Sequence, residues 1–432
     1  MSEEFLHFLW RFNLIRPNHL ITTDGQVIQL LKAGDYNRDA GPDFQHAQLI
    51  IGDVRWVGQV EMHLNSSDWY SHNHHNDSAY GNVILHVVWN DDKPVRNNDG
   101  QIIPTLVLAG KIPEQLSSKY SSIQEAKDEL PCLHFLSSVE RLVKISMLDR
   151  MVMERLTRKA EEIKELWVKN GKDWRQTFYQ VMLRGFGFKV NKEVMSYLAD
   201  VLPISVLLKH RNELLQLEAL LLGSAGLLEG EVKDDYHVAL NKLYEPLARK
   251  FNLSRNQLEV VNWKYSRLRP PNFPEVRLAQ FARLIFTNGD MFQSMLEMKA
   301  ADEIKSVFST PNSTYWQKHY RLGVPAPTKL SSIGSQSINT LCLNTVIPML
   351  IAYGRHKGID EYTNRALQLL ESIPPEDNTI TRSMTASGFS CNSALDSQGL
   401  IELKSNYCDV KRCLDCQVGA HILKDKSSLS IS

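Results

Sequence analysis

The chain has 432 residues and no net charge, because 49 Lys and Arg side chains balance 49 Asp and Glu side chains. Hydrophobic residues form 43% of the chain and charged residues 23%, a composition that excludes wholesale disorder and predicts a globular protein of roughly two to four domains. Neutrality also excludes a chain that coats nucleic acid indiscriminately. No run of 18 apolar residues is present and acids follow Met1, so we expect no membrane span, no secretory leader and a cytoplasmic location.

The first 112 residues predict an α+β domain. A short amphipathic helix is expected over 2–12, capped by Ser2, and Asp24-Gly25 is typical of a hairpin turn. Gly52-Asp53 predicts a second turn, and the apolar run 83–89 predicts a central strand buried on both faces. The expected strands are 20–23, 26–31, 47–51, 54–64, 83–89 and 102–108.

Helical periodicity dominates the rest of the chain. The sequence Ser137-Ser138-Val139-Glu140 is a capping box that begins a long amphipathic helix. The domains predicted from these patterns are an α+β domain over 1–112, a helical domain over 113–384 and a cysteine-rich module with a tail over 385–432.

The first candidate site joins Asp43 to Glu61 and His63. Glu61 and His63 are two residues apart on one strand, so their side chains project from the same face. Asp43 precedes the neighbouring strand of the same hairpin, which can fold it against them. Two converging carboxylates suit Mg²⁺ or Mn²⁺, and His63 is then a base or a group that orients water in phosphodiester hydrolysis. The alternative is a solvated sheet surface without chemistry.

This pattern resembles the PD-(D/E)XK nuclease superfamily, which has a helix with an acid, a β-hairpin with Asp and Glu-x-Lys, a further helix and a further strand. The resemblance implies that Asp43 and Glu61 bind metal, that Glu3 or Glu4 is the helical acid, and that Gln59 shares the strand face of Glu61. His63 stands where that family has lysine, and a neutral imidazole does not replace an ammonium charge.

Most of the chain also resembles a bacterial domain family of unknown function. The residues that carry this likeness are Gly41–Phe44, Gly58–His63, Asp68–Val88, Arg269–Pro274 and the terminal cysteines. This second resemblance implies no activity.

Two further clusters stand out in the sequence. His72, His74 and His75 form either a zinc site, a segment flanking the carboxylates in which His72 or His75 contacts phosphate, or a polar loop. His74 and His75 are adjacent and point apart, so we expect His72 to converge with only one of them.

Over residues 250–283, basic residues outnumber acids seven to two and are interleaved with aromatic residues. This stretch is typical of a nucleic-acid-binding surface or of a salt-bridged helix face; its candidate contacts are Lys264, Arg267, Arg269 and Arg277.

Cys391, Cys408, Cys413 and Cys416 have the spacing C-x16-C-x4-C-x2-C. In a reducing compartment this spacing favours Zn²⁺, or less strongly an iron–sulfur cluster, over a disulfide. His421 competes with Cys391 as the fourth ligand, and buried free thiols are the alternative. Cys132 and Cys342 are isolated in sequence, and we expect them in the core.

These patterns together predict a divalent-metal-dependent nuclease-like phosphodiesterase that acts on DNA or RNA. The alternatives are a non-enzymatic nucleic-acid-binding or scaffold protein on a degenerate nuclease fold, and a metal hydrolase of another phosphate ester. The sequence does not determine the oligomeric state.

Overall fold

The computed structural model describes residues 1–16, 20–253 and 263–425, and the chain forms two compact units. The first, called here the sheet unit, comprises Met1–Leu148, Ser383–Phe389 and Glu402–Ser432. The second, the helical unit, comprises Asp149–Arg382 and Ser390–Ile401. Helices together with a mixed sheet near the N-terminus confirm the predicted α+β class.

The sheet unit begins with helix α1 (Glu3–Arg11). As predicted, Ser2 is its N-cap, and the Ser2 hydroxyl accepts a hydrogen bond from the Phe5 amide at 3.4 Å. The apolar face of α1 is fully buried, with Phe5 and Trp10 both at 0% exposure. Its polar face is therefore fixed in orientation against the sheet.

A mixed sheet follows. Its strands are β1 (Ile28–Lys32), β2 (Asp35–Tyr36), β3 (Phe44–Ile51), β4 (Val54–Asn65), β5 (Val83–Asn90) and β6 (Thr105–Val107). The order is β1-β3-β4-β5-β6, with β2 also paired to β3. The β3–β4 hairpin and the buried strand β5 were both predicted. The chain turns at Asp24-Gly25 as expected, but the hairpin is short. One bridge joins Ile21 to Val27, and the Thr22 and Ile28 amides donate to the Gln26 and Leu20 carbonyl oxygens.

Two pairings of β4 position the candidate site. β4 pairs antiparallel with β3 and parallel with β5, and Glu61 lies opposite His86 in the parallel register. The β3–β4 register shifts between Phe44 and Ala47, where His46 has a left-handed φ of 57°. This bulge lies close to Asp43 and changes the direction of the backbone at the start of β3.

The remaining elements are almost all helical. The helices are α2 (Asp68–Ser71), α3 (Glu114–Glu125), α4 (Arg141–Lys169), α5 (Trp174–Phe186), α6 (Lys192–Val201), α7 (Ile204–Lys209), α8 (Leu214–Ser224), α9 (Asp235–Lys250), α10 (Pro274–Asn288), α11 (Met291–Glu297), α12 (Ala301–Phe308), α13 (Ser335–Leu341), α14 (Ile347–Lys357), α15 (Asp360–Ser372), α16 (Thr379–Ala386), α17 (Ala394–Leu403) and α18 (Gln417–Lys424). A small hairpin joins β7 (His319–Arg321) to β8 (Val324–Pro325).

One helical run is long and apolar enough to cross a membrane by length and composition. It covers Ser335–Lys357, and 72% of its most apolar window is buried inside the protein. Leu341, Ile347 and Leu350 are among its side chains in the core of the helical unit. This burial is typical of a core helix, and the cytoplasmic location stays a prediction.

The close packing of β4 against the segment before β5 can be tested at Gly58. A β-carbon at Gly58 would lie 2.5 Å from Ile84 Cγ2 and 2.7 Å from the Asn82 carbonyl oxygen. We expect Gly58→Ala to destabilise the protein by about 1–3 kcal/mol, because the chain must shift to admit the methyl group. Thermal unfolding measures the change.

The matched control is Gly334→Ala. Gly334 has φ −67°, and no heavy atom of the described residues lies within 4 Å of its added β-carbon. Equal unfolding midpoints for the two variants would contradict the packing described for β4.

Candidate functional site

Asp43 and Glu61 are held together by reciprocal hydrogen bonds between β4 and the residue before β3. The Asp43 amide donates to Glu61 Oε2 at 3.1 Å, and the Met62 amide donates to Asp43 Oδ2 at 2.9 Å. The Asp43 carbonyl oxygen accepts from the Asn37 amide at 2.7 Å. The hairpin therefore brings the two carboxyl groups to one place, as the spacing predicts.

Helix α1 adds an acid and an imidazole to this place. His7 Nε2 lies 3.1 Å from Asp43 Oδ2, and its Nδ1 lies 3.3 Å from the Tyr36 hydroxyl. Glu3 is one turn earlier on the same face; burial raises its pKa, and the charges of His7 and Asp43 also act on it. Glu4, the predicted catalytic acid of this helix, is exposed, so Glu3 is the acid that faces the site.

The sequence reasoning missed His7. The signal that could have found it is the i,i+4 spacing of Glu3 and His7, which places both on one polar face of an otherwise apolar helix. Gln59 lies half-buried on β4, two residues before Glu61, and its Oε1 has no hydrogen-bond partner among the described residues.

A histidine cluster surrounds His63. His63 Nδ1 lies 2.8 Å from His86 Nε2, and His63 Nε2 lies 3.2 Å from His72 Nδ1. One ligand atom from each of His63, His72 and His74 lies within 4.8 Å of the other two. His86 lies on the apolar strand β5, and its contact with His63 Nδ1 fixes the orientation of the His63 ring.

The segment after β4 carries His72 and His74, the second and third imidazoles of the cluster. Asn73 has a left-handed φ of 64°, which reverses the chain between His72 and His74 so that both reach His63. Trp69 is fully buried and packs edge-on against His74 at 5.4 Å. His75 points away, with Nε2 3.0 Å from Asn76 Nδ2, so His72 converges with only one of the two adjacent histidines.

The carboxylate and histidine groups meet at Glu61. Its Oε1 lies 3.4 Å from His74 Nε2 and 3.6 Å from His63 Nε2. The buried His74 Nε2 nevertheless makes no hydrogen bond among the described residues, because the two groups are not aligned as donor and acceptor. Glu61, His63, His72 and His74 thus present one oxygen and three nitrogen donors, the ligand types of divalent transition metals. We refer to these four residues as the Glu–His₃ set.

Burial decides the charge states of Glu61 and His63. Burial, followed by the charge of Asp43, raises the pKa of Glu61 to about 9. Burial, followed by the neighbouring His86, lowers the pKa of His63 to about 2, and burial lowers the pKa of His86 to about 3. At neutral pH these imidazoles are neutral, the form that binds metal, and Glu61 stays protonated until a cation offsets its charge.

A cavity in the sheet unit adjoins the site through His7 and Tyr36. It has a volume of about 590 Å³, and Arg11, Arg38, Lys411 and Arg412 contribute to its wall. The Arg11 guanidinium lies 5.7 Å and the Arg38 guanidinium 5.9 Å from the centre of the Tyr36 ring. Glu4 and Asp415 also line it, and Asp415 pairs with Arg38 at 3.2 Å and with Arg412 at 3.0 Å. This cavity, called here the basic cavity, combines cations, two of them paired, with an aromatic face.

The predicted basic stretch lies in the helical unit and is only partly exposed. Lys264, Arg267 and Arg269 are exposed, whereas Arg255 lies outside the described residues. Arg277 is 4% exposed, and its guanidinium donates to Gln280 at 2.9 Å and to Asn272. Arg277 therefore belongs to the packing of α10 and is not available to a phosphate backbone, contrary to its predicted role.

The predicted cysteine ligands are divided between the two units. Cys408, Cys413 and Cys416 belong to the sheet unit, whereas Cys391 belongs to the helical unit. Cys413 and Cys416 are buried.

Comparison with protein families places this chain in the family described as "Protein of unknown function (DUF2851)", whose model matches residues 3–379. The chain belongs to that family. Searches of the curated proteins and of the solved structures gave no match.

Metal binding at the Glu–His₃ set should release a proton. Glu61 is protonated at about pH 7.5 because its pKa is about 9, and a cation needs the carboxylate. We expect Mn²⁺ binding to release up to about one proton and its affinity to rise with pH up to about 9. Calorimetry in buffers of different ionisation enthalpy measures both quantities.

Glu61→Gln should abolish the proton release and weaken Mn²⁺ binding, while Glu140→Gln, at an exposed position, should change neither. Proton release that persists in Glu61→Gln would show that another group titrates.

Proposed function

We propose that this protein is a divalent-metal-dependent phosphodiester hydrolase that acts on nucleic acid. The observation that carries the proposal is the buried carboxyl of Glu61, which lies beside Asp43 and faces the imidazoles of His63 and His74, with His72 next to them. The groups that shift the pKa of Glu61, all in the described part of the chain, include no Lys or Arg. The ionised site thus lacks a balancing positive charge, which a divalent cation supplies.

The arrangement of elements supports a PD-(D/E)XK-like domain. Helix α1 with Glu3, the β3–β4 hairpin with Asp43 and Glu61, the short helix α2 and the parallel strand β5 follow in the order that this fold requires. Asp43, Glu61 and His63 lie on or beside the hairpin at which the resemblance expects Asp and Glu-x-Lys.

The donor set indicates which metal suits the site. Mg²⁺ prefers oxygen ligands in octahedral geometry, whereas imidazole nitrogen suits Mn²⁺, Zn²⁺ and Fe²⁺. His63 stands where the PD-(D/E)XK superfamily has lysine. Relative to that lysine, His63 therefore lacks an ammonium group and offers a metal ligand. Of the two cations predicted from the sequence, Mn²⁺ fits better than Mg²⁺.

The residues divide the chemical work between them. Glu61, His63, His72 and His74 would hold the metal, and the metal when bound supplies an activated water and offsets charge in the transition state. The Asp43 amide donates to the Glu61 carboxyl, and His7 Nε2 approaches the Asp43 carboxylate to 3.1 Å without an aligned hydrogen bond. His63 is a ligand and not a base, because a buried imidazole with a pKa of about 2 does not take a proton at neutral pH.

Two observations support nucleic acid as the substrate class. The basic cavity adjoins Asp43 through His7, and its cations and Tyr36 suit a phosphate backbone and a base. In the helical unit, Lys264, Arg267 and Arg269 are exposed.

Hydrolysis should depend on both carboxylates and on Mn²⁺. With single-stranded and duplex DNA and RNA, we expect Asp43→Ala and Glu61→Gln to lower the cleavage rate by at least about 100-fold. Glu61→Gln removes a metal ligand, and Asp43→Ala removes the carboxylate that accepts from the Met62 amide beside Glu61. A gel assay with and without Mn²⁺ measures the rates.

The matched control is Asp53→Ala, since Asp53 is an exposed acid at the turn of the same hairpin. Cleavage that Asp43→Ala retains would show that the site is misassigned. Binding without cleavage by the wild-type protein would favour the non-enzymatic alternative.

The basic cavity can be tested separately from catalysis. In the Glu61→Gln background we expect Arg11→Ala to weaken nucleic-acid binding and to lower the slope of log affinity against log salt by about one, as for loss of one phosphate contact. Arg16→Ala, at an exposed position outside this cavity wall, is the control. An unchanged slope in Arg11→Ala would remove the cavity from the binding surface.

A further inference from the structure

Three cysteines of the sheet unit lie on one short loop at the end of the chain. Cys408 closes the π-helical turn Lys404–Cys408, and Cys416 is the N-cap of α18. The loop folds back on α18, because a β-carbon at Gly419 would lie 2.2 Å from the Cys413 carbonyl oxygen. Cys413 and Cys416 are each 7% exposed, so this tight loop turns two thiols inward.

Cys132 is far from this loop in sequence but belongs to the same unit. It is the N-cap of a 3₁₀ turn over Leu133–Ser138, and this turn packs against α18. Cys132 is itself 9% exposed. Cys132 and Cys416 thus each begin one of two elements that pack against each other.

The electrostatic interactions of the thiols support this grouping. Burial raises the pKa of Cys132 to about 12, and the thiols of Cys416 and Cys413 contribute next. Burial also raises the pKa of Cys408, followed by the thiols of Cys416 and Cys132. Each of the four thiols therefore lies near enough to the others for their charges to interact.

We propose that Cys132, Cys408, Cys413 and Cys416 form a four-thiolate metal centre within the sheet unit. Cys132 takes the position that the sequence spacing gave to Cys391, which belongs to the helical unit. Four thiolates are the ligand set of structural zinc and of iron–sulfur clusters. The centre joins the residues before α4 to the returning C-terminal segment.

Ligands of one tetrahedral zinc, at about 2.3 Å from the ion, lie roughly 3.8 Å apart. Among the described residues, only the histidine set has three ligand atoms mutually within 4.8 Å, so a single zinc ion would draw the four sulfurs closer together. The metal content of the purified protein distinguishes zinc from iron–sulfur.

The centre would also fix one wall of the basic cavity. Lys411, Arg412 and Asp415 lie between the proposed ligands and line that cavity. The Gln124 side chain donates to the Lys411 carbonyl oxygen at 3.5 Å, which ties the loop to α3. The metal proposal itself does not depend on the proposed hydrolase activity.

The test uses the full chain purified without oxygen. Zinc, iron and acid-labile sulfide are measured together with the visible spectrum, for the wild type, Cys132→Ser and Cys391→Ser. We expect one centre per chain in the wild type and in Cys391→Ser, and at least a tenfold loss in Cys132→Ser. Broad visible absorption with sulfide identifies iron–sulfur; colourless protein with one zinc identifies zinc.

Thiol labelling of the wild type keeps the test decisive if Cys132→Ser fails to fold. Peptide mapping after alkylation should show that metal removal exposes Cys132, Cys408, Cys413 and Cys416 and leaves Cys391 unchanged. A wild type without zinc or iron, a metal-loaded Cys132→Ser, or Cys132 labelling that metal removal does not alter would each overturn the proposal.

Discussion

The burial of one carboxyl group constrains the whole candidate site. Glu61 lies on a strand covered by neighbours on both sides, and ionising it there costs free energy that no nearby lysine or arginine among the groups acting on it offsets. The same burial lowers the pKa of His63 to about 2 and holds its imidazole neutral. A bound cation would offset the charge of the ionised Glu61 carboxylate. This missing positive charge links the geometry of the site to the proposed metal chemistry.

The parts of the fold that the sequence predicts are those set by local signals. Helix α1, the β3–β4 hairpin and β5 follow from a cap, a Gly-Asp turn and an apolar run. Asp24-Gly25 forms the expected turn, but the strand pair across it is shorter than predicted, with one bridge between Ile21 and Val27. Turn chemistry favours a hairpin locally, and tertiary pairing, such as the bridge from Thr22 to Leu106, decides how far its strands extend.

The site shows the same limit. Asp43, Glu61 and His63 are predictable because the strand period and one hairpin bring them together. Glu3 and Glu4 are neighbours in sequence, and only the packing of α1 decides which faces Asp43. Cys132 lies far in sequence from Cys408, so no spacing rule could have joined them. Arg277 counts as a cation in composition, yet its guanidinium is buried within the helical unit.

The central claim is that Glu61 and His63 share a metal ion. The most direct measurement is anomalous scattering from crystals of the wild type grown with Mn²⁺, with Glu61→Gln crystals as the comparison. Our account predicts one strong peak between the Glu61 carboxylate and the imidazoles of His63, His72 and His74, and its loss or marked weakening in Glu61→Gln. A wild-type map with no peak at these residues, at saturating Mn²⁺, would contradict it.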